Sequence, residues 1–114
     1  MAPLNKEAIL AAVDRKFVDV EVAEWGGSVR LGSMNAEERL EYEEIIQANG
    51  TNRNHSMGAM LVRSIRDESG ERLFTDEDIA ALSRKDPRIL LDLYKRAADL
   101  NVLSEKSAEQ TKGE

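Results

Sequence analysis

His55 is the only histidine in the chain. An imidazole titrating near neutral pH can serve as a general base when a nucleophile lies within hydrogen-bond reach. Here it sits in the polar run Asn49-Gly50-Thr51-Asn52-Arg53-Asn54-His55, and no serine is identifiable as its partner. Zinc needs three or four ligands, so a lone histidine without cysteines is a poor metal site. His55 reads as a solvated loop residue. Two carboxylate clusters, Glu37-Glu38 and Asp76-Glu77-Asp78, could attract a cation only if their oxygens converged. Both fall where first helical turns are expected, and acids are favourable there without an ion. The stretch 67–71 opens like a calcium loop, but the sixth position, where that loop needs glycine, is Arg72. Gly26-Gly27-Ser28 lacks the spacing of a P-loop or dinucleotide fingerprint and reads as a hairpin turn. No catalytic, cofactor or metal site is expected, and the chain does not read as an enzyme.

What remains is chemistry by contact. Trp25 is the only tryptophan. At a turn tip its ring folds into the core or stays exposed as an anchor, as tryptophan often does in binding hot spots. Met57 and Met60 sit at helical spacing. They are core filler or part of a surface that adapts to varied apolar partners. Leu91 falls off the main apolar stripe of its helix and packs on the first helix or on a partner. Trp25, Met57, Met60 and Leu91 are therefore the candidate partner-binding residues.

The elements that must position them can be read from the pattern. Asn5 caps a short helix over 6–13 that puts Ile9, Leu10 and Val13 on one face. Val18, Val20 and Val22 alternate with Asp19 and Glu21, the period of a half-buried strand. Val29 and Leu31 alternate after the glycines, giving a hairpin over about 16–34. Asn35 and Glu38 form a capping box for a helix ending near residue 48. Residues 49–55 read as a loop, and Ser56 caps a helix over 57–66. Gly70 marks a turn. Thr75 with Asp78 caps a short helix to about residue 84, with Phe74 and Ile79 as a staple. Asp86-Pro87 starts a last helix to about residue 101, with Leu90, Leu93, Tyr94 and Ala97 in one stripe. The fold class is α+β, mainly α: a short N-terminal helix, one two-stranded antiparallel β-hairpin and about four helices in a small bundle. Residues 1–104 form a single domain, and 105–114, without large apolar side chains, form a flexible tail.

Composition narrows the functions. The 114 residues are 41% hydrophobic and 33% charged, with a net charge of −6. That balance suits one folded domain and disfavours a phosphate backbone as partner, so no nucleic acid is expected. Apolar runs such as Ile89-Leu90-Leu91 are far shorter than a bilayer span, so no membrane is expected. No long apolar stretch follows a basic start, as a signal peptide requires. With cysteine absent, a cytoplasmic setting is expected.

The run Val20-Glu21-Val22-Ala23-Glu24-Trp25-Gly26-Gly27-Ser28-Val29-Arg30-Leu31 resembles the opening hairpin of the tail assembly chaperones of long-tailed, siphovirus-type bacteriophages. Three further pieces follow in the family's order: Asn35-Ala36-Glu37-Glu38-Arg39, the segment from Asp67 to Leu82 containing Arg72-Leu73-Phe74 and Asp76-Glu77-Asp78, and the ending Ala97-Ala98-Asp99-Leu100-Asn101-Val102-Leu103-Ser104. The resemblance implies a chaperone of the infected host's cytoplasm. It would bind the tape measure protein, and in many phages the tail tube protein as well, and keep them soluble until the tube forms. It also implies a short-frame product accompanied by a longer frameshifted form. The residues themselves suggest self-association through the open hairpin edge. A structural virion or adaptor protein, such as a head–tail completion component, is the alternative. A helix-turn-helix regulator, pairing 75–83 with 88–101, is disfavoured by the acid surplus.

Overall fold

The computed structural model describes residues 2–50 and 52–101. In chain order it contains α1 (Lys6–Ala11), β1 (Phe17–Val22), β2 (Gly27–Gly32), α2 (Ala36–Asn49), α3 (Arg53–Ser64), β3 (Ile65–Arg66), α4 (Ile79–Leu82) and α5 (Pro87–Asn101). This is the mainly helical α+β class expected from the sequence, with one strand more.

The hairpin forms as the alternation demands. Val18 pairs with Leu31, Val20 with Val29 and Val22 with Gly27, antiparallel. The chain reverses through a 3-10 turn over Ala23–Trp25, and Gly26 at φ +76° closes it in the left-handed region that glycine enters without strain. One face of the hairpin, with Val20, Val22 and Leu31, is buried.

A two-stranded hairpin is marginal alone, and β3 relieves the problem. Ile65 and Arg66 pair with Leu31 and Arg30, giving the order β1-β2-β3. The helix expected over 57–66 therefore stops at Ser64, where Ile65 turns extended at φ −76° and ψ 125°. A two-residue strand has too little period to be read locally, and its pairing is a tertiary event. The same helix starts four residues earlier than expected. The Asn52 side chain accepts the His55 N–H at 3.1 Å, so Asn52, not Ser56, is the cap, and the loop over 49–55 contracts. His55 belongs to the first turn of α3.

The other caps form where the sequence places them. Asn5 accepts from Ala8 N–H at 2.8 Å, although α1 ends at Ala11, two residues short. Asn35 and Glu38 exchange bonds of 2.8 and 2.9 Å. Asp78 accepts the Thr75 N–H at 2.8 Å. The helix expected after Thr75 divides into a 3-10 turn over Asp76–Asp78 and the single turn of α4.

The core joins the sheet to the helices through Leu31, Leu61, Val62, Ile65, Leu90, Leu93 and Ala97, each no more than 5% exposed. At Gly58 an added Cβ would lie 2.5 Å from Ile79 Cγ2, so only glycine lets α4 come this close to α3. Buried Asn101 ties the end of α5 to the link before α2. Its Oδ1 accepts Met34 N–H at 2.7 Å, and its carbonyl accepts Arg39 Nη1 at 2.9 Å. The expected tail over 105–114 lies outside the described residues.

Candidate partner-binding surface

The helices meet so as to leave a groove between α3 and α5. Met57, Gly58 and Leu61 form one wall, Pro87, Leu90 and Leu91 the other, and Leu82 and Ser83 close one end. The depression continues across Met57 and Leu91 to Gly50, Arg53, Ser56 and Tyr94. The early start of α3 shapes this end, because it brings Arg53 and Ser56 onto the helix beside Met57. Leu91 is 42% exposed and Met57 half-buried, so both present apolar surface at the groove. Apart from Arg53, the lining residues of both stretches are uncharged.

The four candidates separate in space. Met57 and Leu91 share the groove. Met60 points into the core at 5% exposed, with its Sδ 3.8 Å from Asn101 Nδ2. Trp25 is 37% exposed. It lines a separate cavity with Val29, Ile65, Leu73, Phe74, Leu82 and Lys85 among others, so its ring neither enters the core fully nor stands free.

Sequence reasoning left a second surface unrecognised. No residue of α1 is buried. Leu4, Ile9, Leu10 and Val13 are all exposed, Val13 at 91%. A helix of six residues is marginal in water, and this one gains nothing from the core. The one-sided spacing of Ile9, Leu10 and Val13 was the available signal. It told of a face to be covered but not of what covers it.

Glu38 of one acidic cluster, and Asp76 and Asp78 of the other, are committed to the fold. Glu38 sits at the centre of a buried ionic cluster. Its Oε1 accepts Arg66 Nη2 at 2.8 Å, the Asn35 N–H at 2.9 Å and Arg15 Nη2 at 3.4 Å. Burial by itself would raise the Glu38 carboxyl. The bonds from Arg66 and Asn35, with the charges of Arg66 and Arg15, outweigh burial and hold it below the usual carboxylate range. Arg63, 1% exposed, makes a bidentate pair with Asp76 at 2.7 and 3.0 Å and reaches Glu41 at 3.4 Å. That hydrogen bond, chiefly, lowers the Asp76 carboxyl. Among the described residues no group of three or more histidines or carboxylates converges for a metal. No described helix is long and apolar enough to cross a membrane.

No family model matches the sequence, and no curated protein matches it. Among solved structures the fold has a counterpart in the bacteriophage HK97 tail assembly chaperone. The TM-score is 0.61 at 20% identity, over 83% of this chain and 90% of that one. At this identity the likeness is one of architecture. The fold of this chain is therefore the fold of a phage tail assembly chaperone.

Proposed function

We propose that this protein is a phage tail assembly chaperone, the short-frame product, which binds the tape measure protein in the host cytoplasm and keeps it soluble during tail assembly. The observation that carries this reading is the fold shared with the HK97 chaperone along nearly its whole length. A tape measure segment folded as an amphipathic helix would lay its apolar side in the groove at Met57 and Leu91, using anchors one turn apart. The flexible thioether of Met57 tolerates varied client side chains. Weak contacts repeated along a long client add up through avidity. The tail tube protein is a second client of the same chemistry, and a longer frameshifted form would carry the same groove. No bond is made or broken.

Co-expression with the tape measure protein of the same phage tests this. The soluble fraction of the client is expected to rise several-fold, and the Met57→Ser/Leu91→Ser variant is expected to lose most of that gain while remaining folded. An unchanged soluble fraction with the wild-type chain refutes the chaperone reading. An unchanged gain with the variant refutes the groove as the client site.

A further inference from the structure

The sheet is incomplete at one corner. β2 is six residues long, yet β3 pairs only with its Arg30 and Leu31. The Ser33 N–H donates to the Lys16 carbonyl at 2.8 Å, which makes residues 16 and 33 a hydrogen-bonded pair. Such pairs alternate along an antiparallel ladder. The backbone groups of Gly27, Val29 and Leu31 therefore face β1, and those of Ser28 and Arg30 face the β3 side. Arg30 meets Arg66 there. Opposite Ser28 the chain has already turned away, because the Gly70 N–H donates to the Asp67 carbonyl at 3.0 Å. Among the described residues the Ser28 N–H and C=O have no hydrogen-bond partner.

An apolar cavity of about 340 Å³ opens beside this corner. Ser28 is on its lining, as are Trp25, Val29, Leu73 and Phe74, and Trp25 and Leu73 stay exposed. The charged residues that line it are Arg30, Arg66 and Lys85, and none is acidic, on a chain of net charge −6. Arg30 is matched by Asp19 and Arg66 by Glu38. Lys85 is exposed and takes part in no ion pair among the described residues.

We propose that this corner is a binding site separate from the Met57–Leu91 groove, and that it takes a short extended, acidic and apolar segment of another protein as an added strand beside Ser28. A free N–H and C=O on one strand residue match the C=O and N–H of one residue of an extended peptide, the chemistry of strand addition. A helix cannot supply that match, because its own backbone groups are already paired. Side chains of an added strand alternate between faces. Those next to the residue opposite Ser28 fall on the Val29 side, so an apolar one fills the cavity. A neighbouring aspartate or glutamate meets the free charge of Lys85. One such backbone pairing contributes little net affinity, so the buried apolar side chain supplies most of it. The inference does not rest on the groove. Of the residues lining the two cavities, only Leu82 is shared.

The test titrates the full chain with a capped synthetic peptide of alternating threonines and leucines carrying one aspartate. It reads the fluorescence of Trp25, the only tryptophan, and a saturable change is expected. The same peptide N-methylated along its backbone lacks the donor for the Ser28 carbonyl and is expected to bind at least about tenfold more weakly. Lys85→Glu is expected to weaken the aspartate peptide at least about fivefold and to bind a version with lysine in place of aspartate better than the wild-type chain does. Met57→Ser/Leu91→Ser is expected to leave peptide binding unchanged. No saturable change overturns the proposal, as does equal affinity for the N-methylated peptide, unchanged affinity in Lys85→Glu or loss of binding in the groove variant. A Trp25 change on concentrating the chain without peptide would place a second copy at the corner and overturn it too.

Discussion

Replacing Glu38 by glutamine changes no heavy-atom count and keeps a carbonyl oxygen facing the Asn35 N–H, but it removes the one negative charge lying between two arginines. Arg66, 5% exposed, would then face a neutral amide across the present 2.8 Å. Hydrogen bonds to charged groups are worth about 1.5–3 kcal/mol against about 0.5–1.5 for neutral ones, so the bond itself loses about 1–2 kcal/mol. Stripping a buried ion of its partner altogether costs about 3–5 kcal/mol. The Arg15 contact, at 3.4 Å and partly exposed, adds little. The expected loss for Glu38→Gln is about 2–4 kcal/mol, a large share of the roughly 5–15 kcal/mol available to a small domain. Urea unfolding should show it as a lowered midpoint with unchanged slope. The pH dependence adds a second check. The folded-state pKa of Glu38 lies below its unfolded value. Its contribution is therefore whole above the unfolded pKa, about 4.3, and fades as the pH falls through the lower folded value. The gap between wild type and Glu38→Gln should accordingly narrow on acidification below about pH 4. A gap under about 0.5 kcal/mol at neutral pH, or one that widens in acid, would refute the reasoning.

Other consequences follow from single contacts. Gly58→Ala sets a Cβ 2.5 Å from Ile79 Cγ2. It should destabilise by about 1–3 kcal/mol in the same urea assay, and combining it with Ile79→Ala, which removes Cγ2, should cost less than the two single losses summed. Leu31→Ala, at a site 0% exposed, should cost about 2–5 kcal/mol and lower the thermal midpoint by many degrees. Leu10→Ser on α1 with Val13→Ser just beyond it removes only exposed surface, so the midpoint of the isolated chain should move by no more than about 0.5 kcal/mol equivalent. A larger loss would mean that α1 is packed in solution. Asp76→Asn breaks the charge of the bidentate Arg63 pair. Because the folded Asp76 pKa is lowered, its stability deficit should be full at neutral pH and shrink as the pH falls below about 4.

Local signals were strong enough to place most elements. The Asn5, Asn35, Thr75 and Asp86 caps, the valine alternation of β1 and the glycine at the reversal each act within a few residues, so sequence alone determined the hairpin, the two longest helical segments and the stripe that α5 turns inward. It also raised the expectation that binding rests on apolar contact, because no nucleophile and base, and no ligand set, stood at workable spacing. What depended on distant partners was not legible. Ile65 and Arg66 look like the last turn of a helix until β2 offers an edge to pair with. Ser56 satisfies the local cap pattern, yet Asn52 is the residue whose side chain accepts the His55 N–H.

The same division holds for the surface. Helical spacing marked Met57, Met60 and Leu91 alike, but periodicity gives only the side of a helix and not the neighbour it meets. Tertiary packing sent Met60 inward beside Asn101, brought Met57 and Leu91 to one groove, and left the apolar side of α1 uncovered. Only the fold left Leu91 exposed and put an open groove beside it, because burial is decided by which elements share the core.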